Sequence, residues 1–245
     1  MYANLKRKYS QNFLIDKNIL LKISNLILFE NLNILEIGPG SGLLTDQIIF
    51  KKPSKLTIIE IDKDLIINLE EKYSKIEFMK IINANILDLS LNEKYELIIS
   101  NLPYNISSQV LVKLALLENI PDQLILMFQK EFAQRLLDKN INSINSLIRC
   151  FYSIKLDFHI SKNSFRPIPK VDSSVLTFLK RNKKLLKKDE INDFILFKRN
   201  LFSHKRKSLK NLLKKYNVGK DFNLNLRVEN LELETLIRLF RKINS

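Results

Sequence analysis

Asn33-Ile34-Leu35-Glu36-Ile37-Gly38-Pro39-Gly40-Ser41-Gly42 joins an apolar run of strand length to three glycines within five residues, and a helical pattern, Leu43 to Phe50, follows it. The whole 245-residue chain holds only four glycines, so this clustering is not a by-product of composition. Glycine at a strand-to-helix turn lets the backbone bend tightly and approach a ligand with no Cβ in the way.

The spacing is ExGxGxG, starting at Glu36, and not the GxGxxG of a dinucleotide site. Pro39 removes a main-chain donor that a pyrophosphate would use. A second acid, Glu60, ends the next apolar run, where a carboxylate commonly accepts from ribose hydroxyls. These features predict a nucleoside ligand without pyrophosphate, and S-adenosylmethionine is the expected cofactor. A nicotinamide oxidoreductase is disfavoured by the same spacing.

Further along, short apolar runs alternate with helical stretches. Strands are expected at Asn33 to Ile37, Leu56 to Glu60, Glu77 to Ile82, Tyr95 to Ser100 and Leu124 to Phe128. Helices are expected at Leu43 to Phe50, Leu65 to Lys72, Ser107 to Leu117 and Lys130 to Asp138. Phe151 to Ile160 and Ser174 to Leu179 extend the sheet as an antiparallel pair on one edge. The predicted class is α/β, a Rossmann-like, doubly wound domain over residues 1–180, followed by a small helical domain over 181–245.

The formal charge of +15 points to a polyanionic partner. Between residues 181 and 215 there are 13 Lys and Arg against three acids, so most of that excess falls in the second domain. Such a run is either a solvated helix face or a set of phosphate contacts, and its place beside a catalytic domain favours the second. The single cysteine, Cys150, excludes an intramolecular disulfide and a cysteine-based zinc cluster. His159 and His204 are too isolated to suggest a metal, and none is expected. Lys6, Arg7, Lys8, Asp16 and Lys17 interrupt the first residues, which fits a soluble, cytoplasmic protein without a membrane helix. A monomer is favoured, although the sequence leaves the oligomeric state open.

Asn101-Leu102-Pro103-Tyr104 falls at the end of the fourth predicted strand, facing the same crevice as the glycine turn. The exocyclic amine of adenine is a poor nucleophile because its lone pair is delocalised into the ring. Two acceptors aimed at its N–H groups draw that lone pair out: the Asn101 side-chain oxygen and a main-chain carbonyl held by the proline. Tyr104 offers a flat face for the base. No general base is then required.

Gln11-Asn12-Phe13-Leu14, the ExGxGxG turn, Asn101-Leu102-Pro103-Tyr104 and Phe165-Arg166-Pro167-Ile168-Pro169-Lys170-Val171-Asp172-Ser173 together resemble the ribosomal RNA adenine N6-dimethyltransferases of the KsgA type. The resemblance runs from about residue 6 to residue 240. It implies S-adenosylmethionine-dependent dimethylation of two adjacent adenosines in small-subunit (16S) ribosomal RNA, coupled to ribosome biogenesis. It also implies that Asn12, Leu14, Gly38, Gly40, Glu60, Asn85 and Asn101 bind the cofactor, and that Tyr104 and Phe165 sandwich the flipped adenine. Lys6, Arg7, Lys8, Arg166, Lys170, Lys205, Arg206 and Lys207 are the expected RNA contacts. Asn85 stands where the family usually has an aspartate touching the cofactor's adenine amine, and asparagine keeps an acceptor oxygen there. Erm-type enzymes, which methylate large-subunit ribosomal RNA, share the cofactor motifs. Phe202 to Leu212, similar to the basic helix of the small-subunit enzymes, and Arg227-Val228-Glu229-Asn230-Leu231 favour the small-subunit type. An RNA-binding ribosome assembly factor without catalysis is the alternative from another class.

Overall fold

The computed structural model describes residues 12–219 and 221–244. In chain order the elements are β1 (Phe13–Leu14), α1 (Lys17–Ser24), β2 (Asn33–Ile37), α2 (Leu43–Ile49), β3 (Lys55–Glu60), α3 (Lys63–Tyr73), β4 (Met79–Asn83), β5 (Leu97–Asn101) and α4 (Ser107–Ala115). There follow β6 (Gln123–Gln129), α5 (Lys130–Leu137), α6 (Asn145–Ile148), β7 (Tyr152–Ile160), β8 (Phe165–Arg166), β9 (Ser173–Lys180), α7 (Ile191–Ser203), α8 (Leu209–Leu212) and α9 (Leu233–Asn244).

Seven strands form one sheet in the order β4-β3-β2-β5-β6-β9-β7. The strands from β4 to β6 are mutually parallel, and β9 runs antiparallel to β6. β2, β3, β5 and β6 are buried on both faces, which is why they read as continuous apolar runs. The order reverses between β2 and β5, so a crevice opens at the carboxyl ends of these two strands, where open α/β sheets bind ligands.

A second, two-stranded sheet pairs β1 with β8, antiparallel, with Phe13 opposite Arg166 and Leu14 opposite Phe165. This brings two motifs some 150 residues apart in sequence side by side. The Asp16 carboxylate then caps α1, accepting from the amides of Asn18 (3.0 Å) and Ile19 (3.2 Å).

The chain divides into two compact units. One runs to Ala133 and resumes at Ile154–Lys180, and the other comprises Gln134–Ser153 with Arg181–Ser245. Gln134–Ser153, counted with the amino-terminal domain in the sequence, thus groups with the second unit. The physical reason is a set of bonds that no local pattern encodes: the amides of Arg181 and Leu185 donate to the carbonyls of Phe151 (2.8 Å) and Cys150 (3.0 Å), and Arg181 Nε donates to the Arg149 carbonyl (2.7 Å). Within this unit Phe194 and Phe240 pack edge to face, 5.3 Å between ring centres.

The expected basic helix around residues 202–212 is corrected. α7 ends at Ser203 and α8 begins only at Leu209, with Lys205, Arg206 and Lys207 in the intervening turn. His204 leaves helical geometry (φ −121°, ψ 39°), and Ser208 pairs as a bridge with Arg227. All three basic side chains are exposed.

In the second unit Arg241 donates to both oxygens of Glu190, at 2.6 Å from Nε and 2.9 Å from Nη2. This pairing pulls the Glu190 carboxyl down from its ordinary 4.5 to about 2. A carboxylate with a depressed folded-state value adds stability that is complete above about pH 4.5 and is lost as the pH falls towards 2. Glu190→Gln should therefore flatten the acid limb of a stability-against-pH profile measured by denaturant melts. An unchanged limb between pH 4.5 and 2 would contradict the pairing.

Candidate active site

At the carboxyl ends of the parallel strands lies a cavity of about 240 Å³, lined by Asn12, Gly38, Gly40, Glu60, Asn85 and Asn101-Leu102-Pro103-Tyr104, together with Phe13, Ile61, Ile86 and Ile106. Each group of lining residues belongs to a different strand end, so the sheet gathers what the sequence separates. A smaller adjoining pocket is lined by Leu14, Glu36, Pro39, Ser41 and Leu43, and it shares Phe13, Gly38 and Asn101 with the first.

The glycine turn is shaped by its neighbours. Gly40 has φ +60°, and a Cβ there would lie 2.5 Å from the Phe13 ring, so this glycine admits both the left-handed backbone and the close approach of β1. Gly42 has φ +78°, and a Cβ on it would run into the Tyr73 hydroxyl, which donates to the Gly42 carbonyl (2.8 Å).

Glu60 ends β3 with its carboxylate wrapped in main chain. Oε1 accepts from the amides of Ile61 (2.9 Å) and Asp62 (3.0 Å), and Oε2 accepts from Gly40 (3.2 Å). Burial raises its pKa, and these amide bonds work in the opposite direction. With three of roughly four lone-pair sites taken, Oε2 retains room for one further strong donor. Glu36, one strand over, is almost fully buried, and desolvation pushes its carboxyl to about 8 although Thr45 Oγ1 donates to it at 2.6 Å. Burial thus favours the neutral form of this carboxyl, which lines the smaller pocket.

Asn101 closes β5. Its Nδ2 donates to the Asn12 carbonyl (3.0 Å), which fixes the orientation of the amide. No protein donor takes Oδ1 among the described residues, and that oxygen remains available as an acceptor. Tyr104 follows in the turn before α4, half-buried, its hydroxyl sharing a 2.6 Å hydrogen bond with Ser173 Oγ. Burial raises the Tyr104 pKa, so the phenol is neutral and is not a base at physiological pH.

Asn85 also lines the cavity, but its amide is engaged: Nδ2 donates to Asp88 Oδ2 (2.7 Å), while Oδ1 accepts from the Leu87 amide (3.1 Å). One lone pair on Oδ1 is left for a ligand.

Two expectations are placed differently by the structure. Leu14 is buried in the core and lines the smaller pocket, not the main cavity. Phe165, expected as the other face of a base sandwich with Tyr104, is fully buried on the strand that pairs with β1 and does not line the main cavity. Lys6, Arg7, Lys8 and Gln11 lie outside the described residues. Arg166 and Lys170 are exposed, as expected of RNA contacts, and Arg166 Nη1 donates to the carbonyls of Phe165 (2.8 Å) and Asn163 (3.1 Å). Sequence reasoning missed Phe13, Ile61, Ile86 and Ile106 as cavity walls. Ile61 directly follows a parallel strand, and residues just beyond such strand ends are the signal that would have found it.

A family model described as ribosomal RNA adenine dimethylase matches residues 2–244. The chain belongs to the ribosomal RNA adenine dimethylase family. It is similar to the ribosomal RNA small subunit methyltransferase A of Pelagibacter ubique, 39% identical over 99% of this chain and 98% of that protein. Its similarity to the protein of the same name from Mycoplasmopsis pulmonis is 36%, over 97% and 98% of the two chains. Among solved structures, a dimethyladenosine transferase from Plasmodium falciparum shares the fold with a TM-score of 0.83 at 23% identity, covering 95% of this chain and 97% of that one. The 23S rRNA methyltransferase ErmE does so with 0.76 at 24% identity, over 95% and 100%.

The dimethylase is therefore an S-adenosylmethionine-dependent rRNA adenine dimethyltransferase on a Rossmann-like α/β fold. The cavity fits that cofactor's chemistry: Gly38 and Gly40 border it without side chains, Glu60 at the end of β3 keeps one carboxylate lone pair, its walls are apolar enough for a base, and Pro39 in the same turn lacks the amide a phosphate would use. Bound there, the cofactor supplies a methyl group activated on a sulfonium. No helix among the described residues is long and apolar enough to cross a membrane.

Proposed function

We propose that this dimethylase modifies the N6 amino groups of two adjacent adenosines in small-subunit ribosomal RNA during subunit biogenesis. The observation that carries the chemistry is Asn101, whose amide is turned by the Asn12 carbonyl so that Oδ1 is left as an acceptor in the cavity. Within the turn after it, the Pro103 carbonyl accepts from the Ile106 amide (3.2 Å) and the Tyr104 carbonyl accepts from Ser107 Oγ (3.1 Å). The carbonyl of Leu102, held by the proline ring, is then the second acceptor. Two acceptors on one amine would localise its lone pair towards the methyl group that the bound cofactor supplies; as the N–C bond formed the methyl–sulfur bond would break, leaving a neutral thioether, and the surplus proton on nitrogen would pass to solvent. Tyr104 stacks the flipped base, and Gly38, Gly40, Glu60, Asn85 and Asn12 hold the cofactor.

The small subunit is favoured by the names of the near-full-length relatives. Labelled-methyl transfer to undermodified small subunits, compared with large subunits and followed by nucleoside analysis, tests the proposal. Dimethyladenosine in the small subunit alone is the expected outcome. Label in the large subunit would replace this reading with the Erm type, and cofactor binding without transfer to either would favour an assembly factor.

A base inside folded RNA must swing out to reach a methyl group, so the protein has to grip the phosphate backbone meanwhile. Arg166, Lys170 and the exposed Lys205, Arg206 and Lys207 are assigned to that grip, together with Lys6, Arg7 and Lys8. Replacing Lys205, Arg206 and Lys207 by alanine should raise the apparent KM for small subunits and reduce the slope of log affinity against log salt by about three. Cofactor affinity should not move. An unaltered salt slope would leave the cluster as a solvated turn.

A further inference from the structure

The Tyr104 ring stands in a turn, not in a strand, and its hydroxyl is bonded to a residue on an element 69 positions away. Ser173 is the first residue of β9, fully buried, and lies opposite Gln129 at the end of β6. The strand start is itself tied down: the Lys130 amide donates to the Asp172 carbonyl (2.9 Å), and the Lys162 amide donates to Asp172 Oδ1 (3.0 Å). Ser173 Oγ is thus a fixed point, and Tyr104 Oη meets it at 2.6 Å. The phenolic oxygen lies on the ring axis, so anchoring it sets the direction in which the whole ring projects from the backbone. A stacking wall that swings loses the alignment between amine and methyl group, and displacements of about 1 Å at a reacting centre cost large factors in rate.

We propose that Ser173 is a positioning residue for methyl transfer, holding the Tyr104 ring by its hydroxyl so that the acceptor base stacks at one fixed place in the cavity. This rests on the reading of Tyr104 as the base-stacking wall. A small hydroxyl serves here because the site is fully buried, and among the described residues its side chain bonds to Tyr104.

The test compares Ser173→Ala, Tyr104→Phe, the double variant and Tyr104→Ala, measuring kcat and KM on undermodified small subunits and cofactor affinity by calorimetry. Ser173→Ala and Tyr104→Phe each remove the same bond. Each should lower kcat about fivefold, a fold-change typical of one net hydrogen bond, with cofactor affinity unchanged. The double variant should also sit about fivefold down, since the bond can be lost only once. Tyr104→Ala removes the wall itself and should fall by about tenfold or more. A double variant about 25-fold down would mean that the two residues act separately and would overturn the proposal, as would Tyr104→Phe at wild-type turnover while Tyr104→Ala is impaired. Tyr104→Ala at wild-type turnover would overturn the stacking reading and the proposal with it. Where Ser173→Ala fails to fold, as seen by circular dichroism, Tyr104→Phe alone decides between these outcomes.

Discussion

Asn101→Ala should lower methyl transfer by about 10²–10³-fold at saturating cofactor while leaving the melting temperature near that of the wild type. The residue is partly exposed at a strand end and lines the cavity, so its truncation removes little packing. What it removes is the acceptor oxygen to which the proposed mechanism assigns activation of the adenine amine. Asn101→Asp separates acceptor capacity from orientation. The carboxylate gains a charge but loses the Nδ2 donor, so an oxygen would face the Asn12 carbonyl 3.0 Å away in place of a hydrogen bond. That repulsion should turn the side chain out of register, and Asn101→Asp should be impaired despite its better acceptor. Single-turnover rates with small subunits decide this, and near-normal turnover in Asn101→Ala would sink the mechanism.

Glu60→Ala should weaken S-adenosylmethionine binding by roughly 1.5–3 kcal/mol, the range for a hydrogen bond to a charged group, which is about 10- to 150-fold in Kd. The same change leaves the amides of Gly40, Ile61 and Asp62 without their acceptor, so the glycine turn loosens even without ligand. Glu60→Gln isolates the contribution of Oε2. Its amide oxygen serves the Ile61 and Asp62 amides, but its NH₂ group confronts the Gly40 amide donor to donor. Calorimetry should rank affinity as wild type above Glu60→Gln, and the unliganded melting temperature should fall furthest in Glu60→Ala. Tight binding of NAD with no affinity for S-adenosylmethionine would reject the cofactor assignment.

The parallel strands were readable from local sequence to within about two residues, because strands buried on both faces must be apolar throughout and are punctuated by turns. Gly40 and Glu60 were readable for a related reason: each performs a task that few other side chains perform. α1 was not found, since its eight residues, Lys17–Ser24, precede the alternation of strands and helices that begins at Asn33 and by which the other elements were recognised. The basic turn at Lys205 to Lys207 was expected as helix from the family resemblance, which carries no local backbone information; the chain leaves helical geometry at His204, and Ser208 pairs as a bridge with Arg227.

By itself, then, the sequence determined the fold class, the nucleoside-type cofactor without pyrophosphate and the polyanionic partner, and it marked the Asn101-Leu102-Pro103-Tyr104 turn as the proposed place of chemistry. These follow from local rules: burial sets apolarity, a left-handed turn demands glycine, and phosphates demand cations. Tertiary structure alone decided which groups orient the reacting ones. The pairing of β1 with β8, the Asn12 carbonyl behind Asn101, the burial of Phe165 and the Ser173 hydroxyl on Tyr104 all join residues about 69 to 153 positions apart. Such contacts depend on where the sheet order reverses and on how strand ends register, and both are set by the packing of the whole core and not by any one segment's pattern.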